Sequence, residues 1–193
     1  MRITDLLDAK SISLNLSPKS KSEALDMAVD LMVKSGKIND REGYRKQVYL
    51  REEEGTTGIG EGMAIPHGKC DAVDRPGLAA MVIKDGVDFD SIDGDPVTLL
   101  FLIAAPNTED NVHLDVLSRL SVLLMDEDFT NKLRQAASVS EFKQIIEDAE
   151  KSSENEGDTS VERADSEHYI VAVTGCPTGI AHTYMAAEAL EKA

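Results

Sequence analysis

The chain has 193 residues, 41% of them hydrophobic, which is enough for one well-packed domain with residues to spare and excludes a wholly disordered protein. Its formal net charge of −16 repels polyanions, and with 4% aromatic residues and no Trp it lacks the stacking platforms that bind single-stranded nucleic acid, so we expect no nucleic-acid partner. The acidity either steers a basic protein partner toward the chain or only keeps the chain in solution.

Three segments follow one another along the chain. Residues 1–149 mix helix-period and strand-like patterns. Residues 150–167 are acidic, rich in Ser and nearly free of large apolar side chains, and such a composition predicts a flexible linker because it cannot bury enough surface to offset ordering entropy. Residues 168–193 begin a new apolar pattern that is too short to form a core of its own.

The first segment alternates between the periods of strands and helices. In chain order, we predict a strand at 11–16, a helix from a Ser20–Glu23 capping box to Gly36, a helix at 40–54, strands at 78–84 and 97–104, a helix at 111–125, and a last helix capped by Ser138 and Glu141. The strand at 97–104 is continuously apolar and should be central. The predicted fold is an α/β domain with a mixed β-sheet of about five strands flanked by helices.

Residues 55–77 contain six glycines and two prolines, and we predict a long irregular stretch, which inside a compact domain is usually functional. His67 lies within it, in GMAIPHGK. Pro66 restricts the backbone before the ring, and Gly68 would let another molecule approach closely after it. This setting favours an imidazole that is presented to a partner.

Two further residues are candidates for the same chemistry. His113 lies in the helix predicted at 111–125, where a lone histidine is usually a surface or core residue. Arg51 lies at the end of the helix predicted at 40–54, and taken alone it is a solvated charge paired with Glu52 or Glu54.

The combination of these residues is more specific than any one of them. The segment REEEGTTGIGEGMAIPHG places an Arg 16 residues before a His, with Gly60 and Glu61 between them and an Ile-Pro-His-Gly core. It resembles the active-site segment of the mannitol/fructose enzyme IIA family of bacterial sugar phosphotransferase systems. The family's second histidine falls at His113, after APNTEDNV. The resemblance covers about residues 1–149.

The resemblance implies a phosphotransferase. His67 would accept a phosphoryl group on Nε2 from the phosphocarrier protein HPr and pass it to a cysteine of enzyme IIB, which serves a membrane component, IIC. A neutral imidazole has a free lone pair for such an attack. Arg51 can offer a bidentate fork to the phosphoryl oxygens, and His113 can donate a ring N–H. No cofactor or metal is implied, because the sequence lacks a clustered carboxylate–histidine site.

This function requires an open site. We expect Arg51, His67 and His113 to converge on one shallow surface, because donor and acceptor are whole proteins. The predicted rim consists of Ile59, Met63 and Ile65.

The last segment carries a second motif. The apolar strand predicted at 169–173 is followed by a turn with Cys176 and the start of a helix, an arrangement that lowers a thiol pKa and cradles phosphate. The segment resembles the phosphocysteine loop of fructose-type enzyme IIB, with Cys176 as the next phosphoryl acceptor. The remaining loop residues are Pro177, Thr178, Gly179, Ile180, Ala181, His182 and Thr183. By the same resemblance, residues 168–193 are the start of an enzyme IIB domain, and fructose is favoured over mannitol.

The two cysteines stand at unrelated positions, which predicts reduced thiols and a cytoplasmic location rather than a disulfide framework. Residues 1–10 contain no secretory signal, and no apolar run approaches the roughly 18 residues of a membrane span. We interpret Cys70 and His168 as incidental.

Two other functions fit parts of the sequence. One is a nitrogen-type regulatory IIA module that uses His67 as a switch, but the enzyme IIB motif favours a relay because it supplies a next acceptor. The other is an unrelated α/β binding domain in which Arg51, His67 and His113 are scattered. The distances between the three side chains distinguish these possibilities.

Overall fold

The computed structural model describes residues 2–108 and 112–156, with side chains except at 112–115 and 153–156. The helices in these residues are α1 (Ile3–Leu6), α2 (Lys21–Lys34), α3 (Arg41–Glu53), α4 (Val112–Leu124), α5 (Glu127–Gln135) and α6 (Val139–Glu156). The strands are β1 (Leu7–Leu16), β2 (Gly58–Gly60), β3 (Met63–Ala64), β4 (His67–Lys69), β5 (Gly77–Val87) and β6 (Val97–Ala105). In this part of the chain no helix combines the length and hydropathy of a membrane span.

The strands form one mixed sheet with β6 near its middle. The order is β1-β5-β6-β3-β2, and β4 pairs with β6 beyond the end of β3. β5 runs antiparallel to β6, whereas β3 and β4 both run parallel to it. The predicted mixed α/β sheet is confirmed, with six strands in the described residues.

The two faces of the sheet carry separate hydrophobic cores. Alternate residues of β5 and β6 point to opposite faces: Met81 and Leu102 pack with α2 and α3, whereas Leu78 and Phe101 pack with α1, α4, α5 and α6. Both central strands are therefore buried on both sides. This burial explains why 97–104 reads as a continuous apolar run instead of an alternating one.

The predicted helix caps are present. Ser20 accepts a hydrogen bond from the Glu23 amide at 3.2 Å, and Ser138 accepts one from the Glu141 amide at 3.1 Å. Asp40 caps α3 in the same way, through the Gly43 amide. The capping pattern thus located the starts of α2 and α6 to within a residue.

The structure differs from the sequence-based expectation in three places. The stretch at 55–77 is not wholly irregular, because β2, β3 and β4 lie within it. An additional helix, α5, begins at the Asp126 cap. The last helix, α6, continues to Glu156, seven residues past the predicted end of the first domain, because Glu150 is buried against α1.

Candidate functional site

His67 is the first residue of β4, the three-residue strand that pairs with β6. Its Cα is in register with Ile103, whose amide donates to the carbonyl of Pro66 at 3.0 Å. The side chain is half-buried, so the ring is held by the fold and still meets solvent. The histidine that was predicted to sit in a loop is therefore at the start of a strand.

The two ring nitrogens of His67 have different partners. Nδ1 lies 3.1 Å from the carbonyl oxygen of Ile65, and Arg51 Nε donates to Nε2 at 3.0 Å. A carbonyl can only accept and a guanidinium can only donate, so these contacts fit the neutral tautomer with its proton on Nδ1. Nε2 then presents its lone pair toward Arg51.

Arg51 lies in the last turn of α3, where the helix dipole favours a cation. Its Nη1 donates to the carbonyl of Gly55 at 3.1 Å, so the guanidinium is held between the loop and the His67 ring. The pairing with Glu52 or Glu54 considered for an incidental Arg51 is not what orients this side chain. Glu52 instead accepts from Thr57 and pairs with Lys21.

The turn between β2 and β3 is a strained backbone segment close to the sheet edge. Gly60, Glu61 and Gly62 have φ angles of 98°, 54° and 70°, which only glycine adopts without cost. Asp93 accepts from the Glu61 amide, and Arg134 Nη2 donates to the Glu61 carbonyl, both at 2.7 Å. Both backbone groups of Glu61 are thus fixed by side chains from other elements, a role that no sequence motif indicated.

The surroundings of this turn lower the pKa values of two charged side chains that contact it. Hydrogen bonds from the Glu61 and Asp95 amides lower the pKa of the Asp93 carboxyl below its usual value. Burial lowers the pKa of Arg134, which also donates to Thr98.

Two of the three residues predicted to form an apolar rim are buried. Ile59 is 36% exposed, whereas Met63 and Ile65 are buried in the core on the α4 side of the sheet. Both are buried because β3 and the residues following it are interior to the sheet. What Ile65 contributes to the site is its carbonyl oxygen rather than its side chain.

Gly68 serves internal packing instead of the approach of a partner. It is buried, and a Cβ at this position would lie 3.1 Å from both Tyr44 Cε2 and Val48 Cγ2. Tyr44 is itself fully buried and donates to the Ile103 carbonyl at 2.9 Å, and burial raises the pKa of its hydroxyl. Glycine at 68 therefore lets α3 sit against β4, which brings Arg51 to His67.

The other residues singled out from the sequence are accounted for as follows. The backbone of His113 lies in α4, and its side chain is outside the described residues, as are Cys176 and the loop from Pro177 to Thr183. Cys70 is half-buried against the α2–α3 core, and burial raises the pKa of its thiol. Among the side chains that the structure describes, no cluster of His, Cys, Asp and Glu could bind a metal ion.

Comparison with known proteins agrees with the fold. Residues 5–149 match the family model "Phosphoenolpyruvate-dependent sugar phosphotransferase system, EIIA 2", and residues 171–193 match "PTS system, Lactose/Cellobiose specific IIB subunit". The chain belongs to this EIIA family.

Relatives and solved structures share this assignment. The chain is 44% identical over 194 residues to the fructose-specific EIIABC component of Bacillus subtilis, covering all of this chain and 31% of that protein. It is 40% identical over 146 residues to the fructose-specific EIIA component of Haloferax volcanii, covering 76% of this chain and 92% of that protein. The chain thus spans about a third of the length of its EIIABC relative.

Two solved structures have the same fold. The nitrogen regulatory protein IIA-Ntr of Neisseria meningitidis aligns with a TM-score of 0.70 at 29% identity, over 75% of this chain and 98% of that one. In a complex of enzyme IIA-mannitol and phosphorylated enzyme IIB-mannitol from Escherichia coli, a chain aligns with a TM-score of 0.65 at 30% identity, over 74% of this chain and 99% of that one.

Proposed function

We propose that this chain is the phosphoryl-carrying part of a sugar phosphotransferase, in which His67 accepts a phosphoryl group from HPr and passes it to Cys176 of an enzyme IIB domain. The observation that carries the proposal is the asymmetric pairing of the ring, with Nδ1 on the Ile65 carbonyl and Nε2 on Arg51. Membership of the EIIA family supports the same reaction class.

The chemistry follows from that pairing. The Nε2 lone pair forms the new N–P bond while the bond to the donor's nitrogen breaks. The Nδ1 proton stays on the ring, held by the Ile65 carbonyl, so the phosphorylated ring is an imidazolium and a good leaving group for the next transfer. No proton has to leave His67 in either step, and the cysteine that accepts the group next reacts as its thiolate.

Arg51 has two roles in this scheme. In the structure its Nε–H occupies the Nε2 lone pair, so transfer requires the guanidinium to move from the ring onto the incoming oxygens. There its planar fork stabilises charge on the transferred group. The carbonyl of Gly55 keeps the guanidinium near the ring during this exchange.

The acceptor and the sugar are inferred from the last segment and from the relatives. Residues 168–193 would be the start of an enzyme IIB domain joined by a linker to a IIA domain at residues 1 to about 149, and residues 171–193 match a IIB model. The relatives named above are called fructose-specific, which supports fructose as the sugar. The partners are then HPr, the IIB domain and, through it, a membrane IIC component, with the reaction in the cytoplasm.

A regulatory role is the second candidate, because the IIA-Ntr structure has the same fold. A regulatory module would carry the phosphoryl group on His67 as a signal. The IIB match in the last segment favours the relay.

The test is phosphorylation with defined components. The chain is incubated at neutral pH with phosphoenolpyruvate, HPr and the enzyme that transfers the phosphoryl group from phosphoenolpyruvate to HPr, and the labelled residue is mapped. We expect label at His67, none in His67→Ala, and slower labelling in His113→Ala, which keeps the nucleophile. Full labelling of His67→Ala would refute the proposal. Transfer onward to a complete IIB domain, rather than label that stays on the chain, distinguishes the relay from the regulatory module.

A further inference from the structure

Glu52 is an acidic side chain directly beside Arg51, yet it faces away from solvent. Its side chain is 7% exposed. The Thr57 amide donates to Oε1 at 3.0 Å and the Thr57 hydroxyl donates to Oε2 at 2.6 Å. Lys21 Nζ lies 2.8 Å from Oε1, so the buried carboxylate has a countercharge as well as two hydrogen bonds.

Thr57 connects the Glu52 carboxylate to the Nδ1 side of the His67 ring. The Thr57 carbonyl accepts from the Ile65 amide at 3.0 Å. The Ile65 carbonyl in turn lies 3.1 Å from His67 Nδ1. The Ile65 carbonyl oxygen, which accepts the Nδ1–H hydrogen bond, is therefore connected to the carboxylate of Glu52 through the backbone of Ile65 and Thr57.

The turn that begins at Glu52 also fixes the Nε2 side of the His67 ring. The turn from Glu52 to Thr57 carries the Gly55 carbonyl that receives Arg51 Nη1 at 3.1 Å, and the Gly55 amide donates back to the Glu52 carbonyl at 3.3 Å. Arg51 Nε in turn donates to His67 Nε2. Together these bonds form a closed ring of contacts. It runs from Glu52 through Thr57 and Ile65 to His67, and from there through Arg51 and Gly55 back to Glu52.

Lys21 connects this ring of contacts to the rest of the domain. It is the first residue of α2, and its ammonium group also lies 3.3 Å from Asp90 and 4.9 Å from the centre of the Phe89 ring. The ring of contacts is thus attached to α2 and to the segment after β5, and does not depend on the turn alone.

We propose that Glu52 is a positioning residue for phosphoryl transfer, an inference that rests on the proposed function of His67. Its carboxylate holds the turn that supplies the Gly55 carbonyl and sets the Ile65 carbonyl, so it fixes the tautomer of His67 and the starting position of Arg51. A buried carboxylate that contacts neither donor nor acceptor affects the chemical step and not the docking of HPr.

The experiment measures single-turnover transfer from phosphorylated HPr to the full chain. We expect Glu52→Ala to lower the maximal rate about tenfold or more, because small misplacements of reacting groups are costly, with the HPr concentration at half-maximal rate changed less than about twofold. Thr57→Val, which removes one hydroxyl and keeps the volume, should give a smaller loss. Glu52→Gln, which can still accept from the Thr57 amide, should restore part of the rate. The matched control is the exposed neighbour Glu53→Ala, expected to behave as wild type.

Two readouts separate positioning from a merely structural effect. In wild type, ring ¹⁵N signals of His67 should report a protonated Nδ1, and in Glu52→Ala a mixture of tautomers. The double variant Arg51→Ala with Glu52→Ala should lose less than the product of the single losses, because the residues act in one ring of contacts. Strictly multiplicative losses, an unchanged tautomer, or a wild-type rate in folded Glu52→Ala would overturn the inference. If Glu52→Ala does not fold, the Thr57→Val rate decides. Absence of label at His67 in wild type would count against the proposed function instead.

Discussion

The orientation of His67 comes from one backbone oxygen and one cation on opposite sides of its ring. The Ile65 carbonyl holds Nδ1, and Arg51 faces Nε2. Neither contact requires the ring to be buried, which keeps Nε2 within reach of a protein partner. The Nε–H of Arg51 covers the lone pair of Nε2 in the structure, and in the proposed reaction the same guanidinium would bind the phosphoryl oxygens.

At the same scale, Arg51→Ala should lower the rate of phosphoryl transfer to His67 by about a hundredfold, since one lost charge-stabilising donor typically has an effect of that size. The measurement is single-turnover labelling by phosphorylated HPr. Arg41→Ala is the matched control: it removes the same charge from the other end of α3, where Arg41 pairs with Asp30 and Glu42 on the surface. Equal rates for the two variants would contradict the role assigned to Arg51.

Among the elements, the packing of α3 on β4 decides whether the site exists. Arg51 and His67 belong to different elements, and the missing side chain at Gly68 allows the two to approach. Tyr44 adds a hydrogen bond from α3 to β6 at the level of His67. The distance between the cation and the ring is thus set by the fit of a helix against a strand edge.

The conformation of the β2–β3 turn depends in part on a charged side chain, because the Asp93 carboxylate accepts from the Glu61 amide. Hydrogen bonds from two amides lower the pKa of Asp93. A lowered carboxylate pKa adds stability that is fully present above the unfolded value of 3.8 and is lost as pH falls through the lower folded value. We therefore expect the turn to loosen in acid, below about pH 4.

The measurement for the turn is an NMR titration of the Glu61 amide. Its signal should shift as Asp93 is protonated, and Asp93→Asn should remove that step while the signals of the α2–α3 core stay in place. A Glu61 amide that titrates identically in Asp93→Asn would show that another carboxyl controls the turn.

For the molecule as a whole, the beginning of the domain is joined to the second half of its last helix. Glu150 on α6 is 7% exposed and accepts from the Ile3 amide, from the Thr4 amide at 3.2 Å and from the Thr4 hydroxyl at 2.9 Å. These contacts close the α1–α6 side of the sheet. They also explain why residues just past 149 are part of the folded domain.

Glu150→Ala should lower the free energy of unfolding by about 1–3 kcal/mol, because it leaves the buried Ile3 amide without its acceptor. Urea denaturation of the full chain measures this. Glu147→Ala is the control on the same helix: it is exposed, pairs with Lys151, and should change the free energy of unfolding by less than about 0.5 kcal/mol. A Glu150→Ala effect as small as the control's would mean that α1 is held by its apolar side chains alone.

The sequence by itself determined the fold class, the starts of α2, α3 and α6 and the identity of the central strand, because capping side chains and hydrophobic periodicity act between residues near in sequence. It also identified His67 and Arg51 as candidates, through a motif that lies within 17 residues, from Arg51 to His67. Only the tertiary structure decided that Gly68 packs against α3, that Met63 and Ile65 are interior, and that Glu52 joins both sides of the His67 ring. These features depend on which elements meet across the sheet. A glutamate in a run of three looks the same in sequence whether it faces water or Lys21, and the approach of α2 to the end of α3 is what buries it.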